Sequence, residues 1–328
     1  MTEADKIQYR ASLKHPDVEE PIDLWFYRPV GFRVALLGRR FGWTPNQITI
    51  ASIFLGIGCG ILCYPQDLWL NLLAIVLLIL ADIGDSADGQ LARLTHQYSQ
   101  LGRILDGAAG DFWFAAIYIA IALRLTPEWG IWCWVMAIVT GVCHAQQAAM
   151  ADYYRQFHLF CVNGKQGSEL DDAGDVARQY AETKFSADPV LKVFLWFYRN
   201  YTKGQERLTP QFQKLRRRLR GEGSKGSNGS KGSNCSKGSK GSNGSNCSKG
   251  EENGEEGFWQ SLRQQSLPLM PIANALTFNC RAITLFIALM LGMPWLYWAA
   301  ELTIFNALCI YMVCRHEAMC RKALLRLN

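Results

Sequence analysis

The sequence predicts an all-α integral membrane bundle: six transmembrane helices preceded by an N-terminal amphipathic interfacial helix. Three observations predict it. Six dense apolar runs punctuate the chain, its cations are sorted to one side of those runs, and aspartates crowd the junction between the second and third. The averages hide this. Over 328 residues the mean hydropathy is −0.01, with 49% hydrophobic and 19% charged residues, which taken alone describes a soluble protein.

The apolar cores are Gln47–Cys63, Leu68–Ala81, Phe112–Leu123, Ile131–Val142, Thr277–Leu291 and Pro294–Val313. A span needs roughly 20 residues at 1.5 Å each, so the shorter cores must borrow flanking helical residues at the membrane edge. Residues 1–46 form a polar leader whose stretch 24–40, LWFYRPVGFRVALLGRR, interleaves aromatic, aliphatic and Arg residues. That pattern suits a helix lying in the headgroup plane. Thr44-Pro45-Asn46 then opens the first span, with Pro at a helix start. Residues 47–160 hold spans 1–4. Residues 267–328 hold spans 5 and 6 and a short tail.

Residues 161–266 form a polar insert between spans 4 and 5. Its first part has aromatic patches and a basic run, Lys214–Arg220, and is expected to form two or three cytoplasmic helices. Residues 221–257 are a Gly/Ser/Asn/Lys repeat ending in an acidic patch. Such a segment cannot bury a core and is expected to be flexible coil spanning on the order of 30–35 Å. Asn228, Asn234, Asn243 and Asn246 open N-x-Ser sequons there, none expected to be used on the cytoplasmic side.

Topology follows from charge. Of the 34 Lys and Arg, all but Arg124 and Arg281 fall on one side if both termini share it. By the positive-inside rule that side is the cytoplasm. Met1–Glu20 is polar, so no cleavable signal peptide is expected. In a bacterium the location would be the inner membrane. The 11 Cys are scattered without a CxxC, which argues against a disulfide framework or a zinc site. The net charge of +6 is sorted by the membrane and marks no nucleic-acid partner.

Five carboxylates, Asp82, Asp85, Asp88, Asp106 and Asp111, flank the short cytoplasmic turn between spans 2 and 3. Charge at membrane depth is costly, so such residues default to function. Asp85 and Asp88 stand three apart on one helix face, and Asp106 approaches from the neighbouring helix. Carboxylates this close need cations between them, and hard oxygen ligands select Mg²⁺, Mn²⁺ or Ca²⁺. Gly89, Ala92, Gly102 and Gly107 leave the backbone bare for close approach. A divalent site at the membrane edge suits phosphate chemistry on a lipid.

These residues carry a resemblance. Asp85-x2-Asp88-Gly89-x2-Ala92-Arg93-x8-Gly102-x3-Asp106 resembles the CDP-alcohol phosphotransferase signature, D-x2-D-G-x2-A-R-x8-G-x3-D-x3-D, at seven of its eight fixed positions. The resemblance covers about residues 20–160 and 270–320. It implies two divalent metals, Mg²⁺ or Mn²⁺, on Asp85, Asp88, Asp106 and Asp111, with the cytidine nucleotide beside Gly89, Ala92, Arg93 and Gly102. An alcohol would attack the β-phosphorus of a CDP-linked donor and CMP would leave. Two versions stay open. The CDP carries the lipid, favoured here, or it carries the head group and the acceptor is a diradylglycerol or ceramide-like lipid. A non-catalytic metal-binding membrane protein is the third reading. The resemblance also implies a homodimer.

One position departs from the signature. Its last Asp, the general base, falls on Gly110, with Asp111 next. Adjacent helical residues point about 100° apart. A one-residue π-bulge over Gly107–Gly110 would bring Asp111 into the site as base. Asp82 is expected beside the metal ligands or in solvent. His144, Arg155 and Arg281 are candidates for the acceptor pocket, and Glu301 is expected near the outer face.

Overall fold

The computed structural model describes residues 3–163, 170, 172–186, 188–219 and 248–327. Among these the chain is helical throughout, with no strand. The helices are α1 Glu3–Ala11, α2 Arg28–Phe41, α3 Pro45–Cys63, α4 Leu68–Thr95, α5 Gln100–Trp129, α6 Trp132–Asn163, α7 Ala173–Glu182, α8 Pro189–Leu208, α9 Pro210–Leu219, α10 Ser248–Ser266, α11 Met270–Ala275, α12 Phe278–Met290, α13 Trp295–Ala300 and α14 Asn306–Arg326. A π-helical turn, Asp23–Tyr27, runs directly into α2.

Local chemistry sets the boundaries. Thr44 closes a capping box on α3: its hydroxyl accepts from the Gln47 amide (3.3 Å), and Gln47 Oε1 accepts from the Thr44 amide (2.9 Å). Asp67 caps α4 through the Leu70 amide and Ser99 caps α5 through the Gly102 amide, each at 2.9 Å. His96 ends α4 in the left-handed region, φ 54°, and turns the chain toward α5.

Five helical stretches are long and apolar enough to cross a membrane: Pro45–Cys63, Leu68–Thr95, Ile104–Trp129, Gly257–Met290 and Trp295–Arg326. The sixth expected span, Ile131–Val142, leads into and forms the first part of α6, but that helix does not reach the same apolarity. Thr140, His144, Gln146 and Gln147 dilute it.

Two cores result. Within the apolar layer, Cys59, Leu78, Trp113, Ile117, Ile121, Leu285 and Trp298 bury one another. Beyond it, Tyr154, Phe157, Phe212, Leu215, Leu262, Met312 and Cys320 form a second core from α6, α9, α10 and α14. A bilayer core is about 30 Å thick, and a 32-residue helix is about 48 Å long. The excess length of α6, and of the continuous 32-residue helical stretch Trp295–Arg326 from α13 through α14, supplies the scaffold on which the insert packs.

The inner helices touch closely. A Cβ on Gly56 would lie 2.0 Å from Trp113 Cδ1, and one on Gly60 would lie 2.6 Å from Ala116 Cβ. Glycines one turn apart let α3 and α5 meet at backbone distance. Gly60→Val is therefore expected to force the helices apart at a cost of about 1–3 kcal/mol. A thermal melt in detergent checks it, and an unchanged midpoint would refute the close contact.

Arg124, the lone cation of the connections opposite the carboxylates, is buried. Its Nη1 donates to Cys63 O (3.2 Å) and Asn71 Oδ1 (3.4 Å). Three expectations need correcting. Residues 248–257, expected to be coil, begin α10. Glutamates recur there, and Glu is a good helix former. The remainder of the repeat, with its four sequons, lies outside the described residues. No π-bulge interrupts Gly107–Gly110, since α5 is regular there. A Cβ at either glycine would meet nothing within 4 Å, so no packing force inserts a residue. Glu301 does not snorkel: it is fully buried, on a π-helical turn, Glu301–Phe305, between α13 and α14, and pairs with other helices.

Candidate metal and substrate site

The site forms where α4 and α5 leave the apolar layer. One carboxylate oxygen from each of Asp85, Asp88 and Asp106 lies within 4.8 Å of the others. Asp88 is 3% exposed, and its Oδ2 accepts a short hydrogen bond from Thr49 on α3. Asp85 is partly buried and Asp106 is exposed to the cavity. Three anionic groups this close repel unless a cation joins them, so the donor set fits a hard divalent ion. Thr49→Val is expected to weaken that binding by about 10–100-fold, because the hydroxyl orients the Asp88 carboxylate. Titration with Mn²⁺, read by electron paramagnetic resonance, checks this.

Two cavities meet at the carboxylates. The first, about 160 Å³, is lined by Asp82, Asp85, Gly89, Arg93 and Asp106, and by residues of the leader: Lys14, Glu19, Glu20, Asp23 and Arg28. The second, about 210 Å³, shares Asp82, Asp85, Asp106 and Arg155. It adds Gly107, Gly110, Asp111, Phe114, His144, Asp152 and Arg281.

The leader closes the first cavity through buried hydrogen bonds. Arg28 donates to Glu19 Oε2 (3.1 Å) and to Ser86 Oγ (3.2 Å). Arg93 Nε donates to Ser12 O (2.6 Å), and Gln90 Nε2 to Arg28 O (3.2 Å). Glu20 accepts from Arg155 (3.0 Å), Thr277 and Asn279 (2.8 Å), tying the leader to α6 and α12. Burial raises the Asp23 carboxyl above its usual pKa, the hydrogen bond from Asn279 opposing and the charge of Glu20 adding. The sequence marked these leader residues only as polar, and spacing offered no signal for them.

The second cavity ends on a buried polar cluster. His144 Nδ1 lies 2.8 Å from Tyr118 Oη and 3.4 Å from Glu301 Oε1. Arg281, 1% exposed, donates from Nη2 to Gln147 Oε1 (2.7 Å), with Nε 3.6 Å from Glu301 Oε1. A carboxylate buried beside a guanidinium fixes that cation in place. All three residues expected at an acceptor pocket, His144, Arg155 and Arg281, line this cavity.

Other expected residues fall elsewhere. Asp111 lines the second cavity but stands outside the three-carboxylate group. Asp82 lines both cavities. Gly89 and Arg93 line the first; Ala92 and Gly102 line neither. Gly102 instead lets α5 start against α3, since a Cβ there would lie 2.5 Å from Asn46 Oδ1. A second group of metal-capable side chains, His316, Glu317 and Cys320, sits in the outer core. Its Glu317 already accepts from the Gln211 (2.6 Å) and Phe212 (3.3 Å) amides at the start of α9.

Fold and site together define a helical membrane protein with a group of three carboxylates that could hold a metal ion, beside two cavities. Residues 42–157 match the family model of CDP-alcohol phosphatidyltransferase. It is 29% identical over 99 residues to the bifunctional IPC transferase and DIPP synthase of Aquifex aeolicus, covering 30% of this chain and 22% of that protein. It is 30% identical over 116 residues to the archaetidylinositol phosphate synthase of Pyrococcus horikoshii, covering 35% of this chain and 55% of that protein. The chain thus matches about a fifth of one relative and about half of the other.

Proposed function

We propose that the protein is a membrane phosphotransferase of phospholipid synthesis that moves a phosphatidyl unit from a CDP-linked lipid to a polar alcohol, releasing CMP. The observation that carries this reading is the convergence of Asp85, Asp88 and Asp106, in the family's spacing, with Asp85 and Asp106 lining both cavities. In this reading those carboxylates hold Mg²⁺ or Mn²⁺, two ions in all. Bound there, divalent cations neutralise the diphosphate and the charge growing on the leaving CMP.

The chain's own residues divide the remaining work. Gly89 leaves room for the nucleotide in the first cavity, and Arg93, held by Ser12 O, meets its phosphate as a fixed cation. The acceptor occupies the second cavity. Arg155 and Arg281 there suit an acceptor that bears an anionic group, such as an alcohol phosphate. Asp111 takes the proton of the attacking hydroxyl. The alcohol oxygen bonds to the β-phosphorus, and the bond from that phosphorus to the CMP oxygen breaks.

The reading also makes α6 the sixth span, both termini and the site cytoplasmic, and the protein a homodimer. The cation asymmetry supports the orientation. The family resemblance supports the dimer. Transfer of a CDP-borne head group to a diradylglycerol or ceramide-like lipid is the second version. The two arginines among the second cavity's lining residues, Arg155 and Arg281, weigh against it, since such acceptors carry no anion. The test incubates purified protein in detergent with Mg²⁺ or Mn²⁺, CDP-linked donors and candidate alcohols. CMP and a phosphatidylated alcohol, identified by lipid mass spectrometry, are expected. No CMP with any pair, alongside intact metal binding, would leave the non-catalytic reading.

A further inference from the structure

We propose that α8, within the insert outside the matched family domain, is a second membrane-surface helix that lays Val190, Val193, Trp196 and Phe197 onto the lipid leaflet beside the substrate site. These side chains are 52%, 47%, 44% and 59% exposed. Their spacing of three and four residues puts them on one face. The buried residues of the same helix are Leu195, Thr202 and Gln205. An aqueous domain does not leave its aromatic residues outward and turn its threonine and glutamine inward.

Position identifies the occupant as lipid. Gln205 Nε2 donates to Ala149 O (2.8 Å), and Tyr201 donates to Asp152 Oδ2 (3.3 Å), fixing α8 to α6. Asp152 lines the cavity that holds Asp106 and Asp111, so α8 lies at the depth of the carboxylates. It also packs against α5. The outward apolar surface of the spans reaches the same level: Phe112 is 44% exposed next to Asp111, and Val142 is 60% exposed one turn before Gln146. The face of α8 therefore continues a lipid-facing surface at headgroup height.

Charge agrees. The sole acid of α8, Glu206, is engaged by the Ala173 amide (2.9 Å) and by Arg216 (3.8 Å). The exposed charges on the helix are Lys203 and Arg207, suited to anionic headgroups, while the approach to it carries Glu182 and Lys184, which cancel. Its composition matches that of α2, whose Leu37 and Phe41 are 49% and 67% exposed beside Arg33 and Arg40.

The test reads lipid contact directly and needs no activity, so it stands apart from the proposed reaction. The full chain is reconstituted into bilayer nanodiscs containing phosphatidylglycerol, with the photocrosslinker benzoylphenylalanine replacing Phe197. Matched samples carry it at Ile138, on the outward face of α6, and at Lys322, near the end of α14. Position 197 is expected to give lipid adducts at a yield like that of 138 and roughly tenfold above that of 322. Exchanging phosphatidylglycerol for a zwitterionic lipid is expected to lower the yield at 197. A lipid yield at 197 no higher than at 322 would overturn the proposal, as would crosslinking chiefly to a second copy of the chain.

Discussion

Asp88→Asn is expected to lower CMP release by on the order of 10²–10³-fold or more, the size of effect seen when one charge-stabilising group is removed from a reacting centre. The variant keeps nearly the same volume and can still accept from Thr49, so α3 and α4 should pack as before. What it loses is one negative charge from a group of three whose oxygens converge within 4.8 Å. Asp88 is also the most buried of the three, at 3% exposure, and water cannot substitute for it easily. Mn²⁺ titration and a thermal melt separate the outcomes. Weakened metal binding with an unchanged melt is expected. Full activity would remove Asp88 from the metal site.

The second large effect concerns the missing motif aspartate. Asp111→Asn is expected to cost about 10²–10⁴-fold in the rate of transfer, the usual contribution of a general base. Asp82→Asn, on the rim of both cavities, is expected to cost far less. The glycine supplies a sharper control. Position 110 faces the second cavity with nothing within 4 Å of an added Cβ, so Gly110→Asp should be accommodated without strain. Placed in the Asp111→Asn background, Gly110→Asp is expected to restore transfer, because residues 106 and 110 share a helix face. Equal losses from Asp82→Asn and Asp111→Asn would exclude Asp111 as the base. Failure of the double variant, with metal binding intact, would exclude this face of α5.

These expectations rest on features of differing legibility. Asp85, Asp88 and Asp106 were readable because two lie three residues apart on one helix and the third follows a short turn. Nearly all of that geometry is local. A helix before α3 was readable from its aromatic and Arg spacing, and the start of α3 from the Pro after Thr44. The path of α5 was less readable. A bulge over Gly107–Gly110 was expected from the motif's offset, yet the glycines face open space and the helix stays regular. Asp111 reaches the second cavity without it.

By itself the sequence determined the apolar helices, the start of α3 and the carboxylate group, because apolar runs, a proline at a helix start and motif spacing act over a few residues. Tertiary structure alone decided what surrounds that group. Glu20 meets Asn279 across 259 residues, and Gln147 meets Arg281 across 134. Glu301 turned out to pair with His144 and Arg281, which line the second cavity, and the insert joined a core with α6 and α14. Such contacts depend on which helix faces pack together, and a polar side chain's local sequence is the same whether it meets water or a partner from the far end of the chain.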